Sequence, residues 1–214
     1  MDAAAVIDVI EQAFAGVEHP GDPFLLGSHD GEEPLQEVSA FQGVYDWHTL
    51  SPEFLDAHYT VLSFFSEGGF RFYLPAFLIA DVRDLLQTAD PVFHLVHGFS
   101  ETSTLHKIGD RTFTRASGGG RFINPRRYGA MVSRDYARYR LSVFSREEAV
   151  AIVAYLDFVR QLEMRSADRD RIDKALAGFW RERAASAPAR AEMRRFLAEE
   201  AEYVGALMRR KDPR

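Results

Sequence analysis

The chain has 214 residues, of which 46% are hydrophobic and 27% are charged, and its formal net charge is −6. This length suits one domain, or one domain with an appended helical unit, and this balance excludes wholesale disorder. No apolar stretch is long enough to cross a bilayer, the first residues lack a basic leader, and no cysteine is present to form a disulfide, a thiol nucleophile or a thiolate metal site. We therefore expect a cytoplasmic protein with no membrane partner.

The small net charge hides a strong asymmetry between the two halves. Residues 1–106 contain seventeen acids and two bases, whereas residues 107–214 contain fifteen acids and twenty-four bases. Because the two halves carry opposite net charges, we expect them to pack together within one globule or across a homodimer. The alternative is a basic face that binds an acidic partner.

The first third of the chain predicts a helix, a loop and a second helix. Residues 3–16 carry apolar side chains at helical spacing, and residues 19–34 hold three prolines and three glycines, which is typical of an exposed loop. Ser51 followed by Pro52 predicts a helix start. We expect this second helix to end at the glycine pair at 68 and 69.

The stretch SEGGFRFYLPAFLIADVRDLL, residues 66–86, is interpreted as a packing corner between two helices. Its glycines permit a sharp reversal, and residues 70–73 alternate like a short strand. Pro75 then opens the next helix, because its missing N–H needs no partner there. The competing interpretations are an active-site elbow and a partner-binding edge.

The middle of the chain predicts a small sheet. The segment TLHKIGDRTFTRAS predicts a hairpin that turns at residues 109–110, and residues 134–144 predict a helix and then a strand. Further along, Ser145 and Glu148 form a predicted capping box at the start of a helix.

Two further helices are predicted at the end of the chain, from the apolar stripe at 172–180 and from another after Pro188. The predicted fold class is therefore α+β, predominantly α, with a small central antiparallel sheet, packed helices and a C-terminal helical hairpin. The predicted units are a globular α+β domain, 1–165, and a C-terminal helical extension, 166–214.

Histidine and aspartate residues in the first half are the basis for an enzyme hypothesis. His94 and His97 lie close in sequence to His106, and Asp46 lies two residues before His48, although neighbouring side chains on a loop seldom converge. No spacing matches a zinc motif, a phosphate loop or a serine-hydrolase elbow, so we predict no metal and no cofactor. A hydrolase or metal-dependent enzyme built from these residues is the alternative function.

A basic and aromatic stretch covers residues 107–140. It holds nine bases, two acids and five aromatic residues. Arginine pairs with phosphate and aromatic rings stack on bases, so nucleic-acid binding is a second alternative. The acidic first half would compete for the same arginines, and we therefore do not expect a nucleic-acid partner.

The chain also resembles an uncharacterised bacterial family of domain-of-unknown-function proteins. The resemblance is carried by DWHTL, by LSFFSEGGFRFYLPAFLIAD with its Tyr-Leu-Pro-Ala box, and by the segment from Ile10 to Asp22. The matching positions are Phe14, Trp47, Leu50, Leu62, Phe64, Phe70, Arg71, Tyr73, Leu74, Pro75 and Ala76. With FSREEAVAIVAYL, residues 144–156, the resemblance spans residues 10–160 and implies no reaction, cofactor or catalytic residue. The general layout is similar to the SUKH-type toxin-immunity and partner-binding domains.

Taken together, these patterns predict a non-enzymatic cytosolic binding or interaction module, with a toxin-immunity role as one version. We expect a homodimer, because the apolar stripes of the last two helices need cover, and an additional protein partner fits the same module. The predicted binding residues are Trp47, Arg71 and Tyr73, since these residue types dominate binding hot spots, together with Arg126 and Arg127 of the basic stretch. Corner packing is the competing interpretation for the first three.

Overall fold

The computed structural model of the protein describes residues 1–28, 31–99, 103–108, 111–116, 122–124, 129–131, 133–188, 198 and 202. Between 103 and 133, and at 135, it describes the backbone alone.

The described chain is dominated by α-helices. They are Ala3–Phe14 (α1), Glu33–Ser39 (α2), Pro52–Ala57 (α3), Val61–Phe64 (α4), Glu67–Val82 (α5), Pro91–Val96 (α6), Ser133–Leu141 (α7), Arg146–Val159 (α8), Arg169–Ala175 (α9) and Arg181–Ser186 (α10). Short 3-10 turns cover Asp22–Phe24, Trp47–Thr49 and Glu163–Arg165, and a π-helical turn, Leu176–Trp180, joins α9 to α10. None of the described helices is both long and apolar enough to span a membrane.

The predicted fold class, α+β with a small central antiparallel sheet, is wrong. Strand pairing in the described chain is confined to one isolated bridge and two separate two-stranded antiparallel ladders. The ladders are Ser103–Ile108 (β1) with Arg111–Ala116 (β2), and Phe122–Asn124 (β3) with Gly129–Met131 (β4). The fold is helical, because a buried helix, α5, occupies the central position that we expected a sheet to fill.

Helix α5 also replaces the predicted corner. The Ser66 hydroxyl accepts a hydrogen bond from the backbone N–H of Gly69 at 3.0 Å, so the glycine pair lies in the first turn of α5 and does not end a helix. Pro75 lies inside α5, where it removes one intrahelical hydrogen bond without starting a new helix. Every residue of α5 except Asp81 is buried. A helix covered on all sides shows no one-sided apolar stripe, and this is why residues 70–73 resembled a strand.

The glycines at the start of α5 allow a loop to approach it closely. A Cβ atom at Gly69 would lie 3.2 Å from the carbonyl oxygen of Leu25. That same oxygen accepts a hydrogen bond from the Ser66 backbone N–H at 2.7 Å, and next to it Leu26 pairs with Phe65 in an isolated antiparallel bridge. The loop before α2 is therefore fastened to the N-terminal end of the central helix.

The C-terminal helices pack onto the same core. The predicted capping box of Ser145 and Glu148 is confirmed at the start of α8. Trp180 is fully buried, and its indole Nε1 donates to the carbonyl oxygen of Leu95 at 2.9 Å, so the apolar stripe of 172–180 is covered in cis. The second helix of the predicted hairpin, after Pro188, lies outside the described residues apart from positions 198 and 202. The division at residue 165 stays a prediction.

Candidate functional site

A small open cavity lies where α1, α3 and α5 meet the Trp47–Thr49 turn. Its volume is about 100 Å³. The residues that line it are Glu11, Trp47, His48, Leu50, Pro52, Leu55, Ala76, Ile79, Ala80, Arg83 and Leu85. Pockets for drug-sized ligands measure roughly 300–1,000 Å³, and an engineered cavity of about 150 Å³ binds benzene. The cavity therefore has room for one aliphatic side chain, and it is smaller than the pockets that usually enclose drug-sized ligands.

Small residues of α5 form the floor of this cavity. Ala76 and Ala80 are one helical turn apart, and Ile79 lies on the same face between them. All three are nearly fully buried, and their neighbours along α5 are mostly large. The two methyl groups leave space that a longer side chain at either position would fill. An apolar floor of this kind favours an apolar group of a ligand.

The C-terminal end of α5 forms one wall. Asp84 has a φ of +56°, the left-handed conformation that glycine usually supplies at a helix end. The Leu85 backbone N–H donates to the Ala80 carbonyl oxygen at 3.0 Å, and the Asp84 N–H donates to that of Asp81 at 2.9 Å, which completes a Schellman motif. This turn places Leu85, which is 47% exposed, at the mouth of the cavity.

Another wall carries an aromatic stack and an acid–histidine pair. The rings of Trp47 and His48 are stacked with their centroids 3.6 Å apart. The Nδ1 atom of His48 lies 2.6 Å from Oδ1 of Asp46, so the two side chains converge because the 3-10 turn brings residues 46 and 48 together. The hydrogen bonds from His48 lower the pKa of Asp46. An ionised carboxylate only accepts, so Nδ1 carries a proton, and in the neutral form of the ring Nε2 is the acceptor.

Arg71 does not line the cavity. Its side chain is buried, and its Nε and Nη2 atoms donate to Oε2 and Oε1 of Glu148 at 2.7 and 2.6 Å. Glu148 Oε2 also accepts the backbone N–H of Ser145 at 3.0 Å. Arg71 therefore joins α5 to the capping box of α8, which is a packing role.

Tyr73 is likewise inside the protein. Its hydroxyl oxygen lies 2.7 Å from the Val44 carbonyl oxygen and 3.0 Å from that of Phe41. His19 Nδ1 accepts the Gly21 backbone N–H at 3.0 Å, so the Nε2–H of His19 donates to the Tyr73 hydroxyl at 3.1 Å. Burial raises the pKa of Tyr73 and lowers the pKa of His19. Both side chains are hydrogen-bonded partners in the core and not open binding groups.

The other candidate residues lie away from the cavity or outside the described side chains. Arg126 and Arg127 fall outside the described residues, as does much of the 107–140 stretch. His94 and His97 lie at the end of α6, where burial lowers the pKa of His94 to about 3, with Arg140 and His97 acting in the same direction. In the part of the chain that is described, no group of three or more histidine, aspartate or glutamate residues could hold a metal ion.

Comparison with known families gives one match. Residues 2–115 match the family of unknown function DUF6714, which is more than half of the chain. The chain belongs to this family. The DUF6714 region runs from α1 into β2 and contains every residue that lines the cavity. No curated protein and no solved structure matches the chain.

Membership of DUF6714 confirms the predicted resemblance to a family of unknown function. The range differs, because the match ends at residue 115 and leaves out the segment 144–156. The bacterial source implied by the resemblance stays a prediction.

Most of the cavity was missed by sequence reasoning. Of the predicted binding residues with described side chains, Trp47 alone lines it. A signal was present in the pair Ala76 and Ala80, spaced four residues apart in a segment of otherwise large apolar residues. The reading of Pro75 as a helix start hid this spacing, because it placed a helix boundary immediately before the pair.

Proposed function

We propose that this member of DUF6714 is a non-enzymatic cytosolic binding module whose cavity receives one aliphatic side chain of a protein partner. The observation that carries the proposal is the open apolar cavity of about 100 Å³ on the surface of α5. Trp47 lines it, and tryptophan is one of the residue types that dominate binding hot spots. Leu85, which also lines it, is exposed. The absence of cysteine supports the cytosolic location.

The experiment uses the two tryptophans of the chain as reporters. Trp47 lines the cavity, whereas Trp180 is fully buried elsewhere and serves as the internal control. N-acetyl-leucinamide, titrated into the full-length protein, is expected to shift the NMR signal of the Trp47 indole N–H with an affinity in the millimolar range. N-acetyl-serinamide is expected to leave it unchanged.

A pocket-filling variant completes this test. Ala80→Leu is expected to abolish the leucinamide response, because the added side chain occupies the cavity. Ala185→Leu, an exposed position on α10, is the matched control and should keep the response. The proposal fails if serinamide shifts Trp47 equally, or if Ala80→Leu with an unchanged circular dichroism spectrum still binds.

A hydrolase is the second candidate, and one observation favours it. Asp46 orients the ring of His48 so that Nε2 can accept a proton beside the cavity. The residues that line the cavity include no hydroxyl, thiol or amine nucleophile, so the pair would have to activate water. Ester hydrolysis that disappears in His48→Gln and persists in His58→Gln would establish the hydrolase in place of the binding module.

The homodimer and the nucleic-acid alternative stay predictions. We expected a dimer because two C-terminal apolar stripes need cover. The stripe at 172–180 is covered within the same chain, since Trp180 and its neighbours are buried, and it therefore no longer supports a dimer. Light scattering of the full-length chain would measure the oligomeric state.

A further inference from the structure

We infer that the partner segment is basic, with lysine or arginine residues on both sides of the single aliphatic side chain that enters the cavity. The inference rests on the proposed function, because it specifies what surrounds the anchor residue. The apolar floor specifies the anchor residue, whereas the charged residues around the cavity specify the residues on either side of it.

The rim of the cavity is acidic. Glu11 lines it, and three exposed acids, Asp46, Glu53 and Asp84, are each adjacent in sequence to a lining residue. The basic residue among the lining side chains is Arg83. His48 donates its Nδ1–H to Asp46, so this carboxylate already has a partner. Glu11, Glu53 and Asp84 are the remaining acids near the cavity, and a cationic side chain on either flank of the anchor would interact favourably with them.

The part of the chain that forms the cavity also has an excess of acidic residues. Within residues 1–28 and 31–99 the structure describes fifteen acids and two bases. One of these bases, Arg71, is buried in its ion pair with Glu148, which leaves Arg83 as the exposed base of this part of the chain. Glu67 is buried, and Asp81 and Asp90 pair with Arg165. The remaining acids still outnumber the bases in this part of the chain, which favours cationic partners over anionic ones.

The anchor itself is aliphatic for two reasons. The cavity volume of about 100 Å³ is smaller than the roughly 150 Å³ of an engineered cavity that binds benzene, which favours a slim aliphatic side chain over an aromatic ring. The floor of Ala76, Ile79 and Ala80 has no polar side-chain group to bind a hydroxyl or an amide. The partner is thus a cationic segment with a leucine-like side chain between its charges.

Four synthetic peptides test the inference on the full-length protein. Two carry a central leucine flanked by two lysines or by two glutamates on each side, and two carry serine in place of leucine. Binding is followed at the Trp47 indole N–H in about 20 mM and about 300 mM salt, because added salt shortens the range of the field. We expect the lysine–leucine peptide to bind at least about tenfold more tightly than the glutamate–leucine peptide at low salt, and this ratio to fall at high salt.

Charge-neutral variants locate the effect. Glu11→Gln with Asp84→Asn removes two charges at the rim, and asparagine tolerates the left-handed backbone of residue 84. This double variant should lose at least half of the salt-dependent preference. The matched control, Glu32→Gln with Glu33→Gln, changes the net charge equally at two exposed acids that do not line the cavity, and should retain it.

The outcomes separate this inference from the proposed function. Equal binding of the lysine and glutamate peptides, or of leucine and serine peptides, overturns the inference. If leucinamide still binds in that case, the anchor cavity stands. If neither leucinamide nor any peptide shifts Trp47, the proposed function fails. A Trp47 signal that changes on dilution as a dimer dissociates, with no response to any of the peptides, would assign the cavity to a contact between two copies of this chain and would also overturn the inference.

Discussion

Replacing Arg71 with methionine should lower the stability of the protein and leave the residues that line the cavity unchanged. Methionine has a similar length, so the change removes the guanidinium and keeps most of the packing. The two hydrogen bonds from Arg71 to Glu148, at 2.7 and 2.6 Å, disappear, and the carboxylate stays buried with 0% of its side chain exposed. A buried charge that loses its partner is strongly unfavourable.

The magnitude follows from what Glu148 retains. Its Oε2 keeps the backbone N–H of Ser145, and Arg183 contributes a further favourable charge interaction. These contacts do not replace a bidentate guanidinium, so we expect Arg71→Met to lower the free energy of unfolding by about 3–5 kcal/mol. A domain is typically stable by about 5–15 kcal/mol, so this loss is large but measurable.

Urea denaturation at pH 7, followed by circular dichroism, measures the change. The double variant Arg71→Met with Glu148→Leu removes both members of the buried ion pair, so its stability should return to within about 2 kcal/mol of the wild type. The remaining loss comes from the capping box and from the charge interaction between Glu148 and Arg183. Arg83→Met removes an exposed arginine just after the same helix and should change stability by less than about 0.5 kcal/mol. A loss below 1 kcal/mol in Arg71→Met, or strict additivity in the double variant, would refute the reasoning.

Three further predictions concern stability. Asp84→Gly should stabilise the protein by about 0.5–1 kcal/mol in urea denaturation, because glycine accepts the φ of +56° without strain; no gain would mean that the turn is relaxed. Gly27→Ala should lower the free energy of unfolding by roughly 2–3 kcal/mol, because its methyl group would overlap the Phe65 carbonyl oxygen. Gly178→Ala, which has open space around it, should not lower it. Equal effects of the two variants would contradict the close approach at Gly27. His94 has a folded pKa of about 3 against 6.5 when unfolded, so protonation favours the unfolded chain and stability falls as the pH drops below 6.5. At pH 5 its share is about 2 kcal/mol, so the loss of stability between pH 7.5 and 5 should be smaller by about that amount in His94→Gln. An equal loss in the wild type and the variant would exclude His94 as the cause.

The helix boundaries that depend on capping chemistry were predictable, and the centre of the fold was not. Ser51 and Ser145 each begin a helix as expected, because a side-chain oxygen satisfies a free N–H at a fixed spacing. Helix α5 carries the signs that usually end helices, two glycines and a proline. Tertiary burial overrides them, since the glycines admit the loop at Leu25 and the apolar contacts on every side compensate for the bond lost at Pro75.

The cavity was only partly accessible to sequence reasoning for a related reason. Trp47 was found because tryptophan is conspicuous in any sequence. Leu85 lies in the stretch that we expected to continue as a helix after Pro75, whereas the Schellman turn at Asp84 ends α5 and leaves Leu85 exposed. That turn depends on a left-handed aspartate, and sequence patterns do not reveal which aspartates adopt this conformation.

The ion pair between Arg71 and Glu148 joins residues on either side of the point where the DUF6714 match stops. A fragment cut at residue 115 would expose the flank of α5 that α8 covers. The Arg71 guanidinium would then lie in an apolar surface without its carboxylate partner. Any other protein that carries only this segment would need a substitute for α8, supplied by another stretch of its own chain or by a binding partner. The segment that matches the family is thus shorter than the stretch of chain needed to pair Arg71 with its carboxylate.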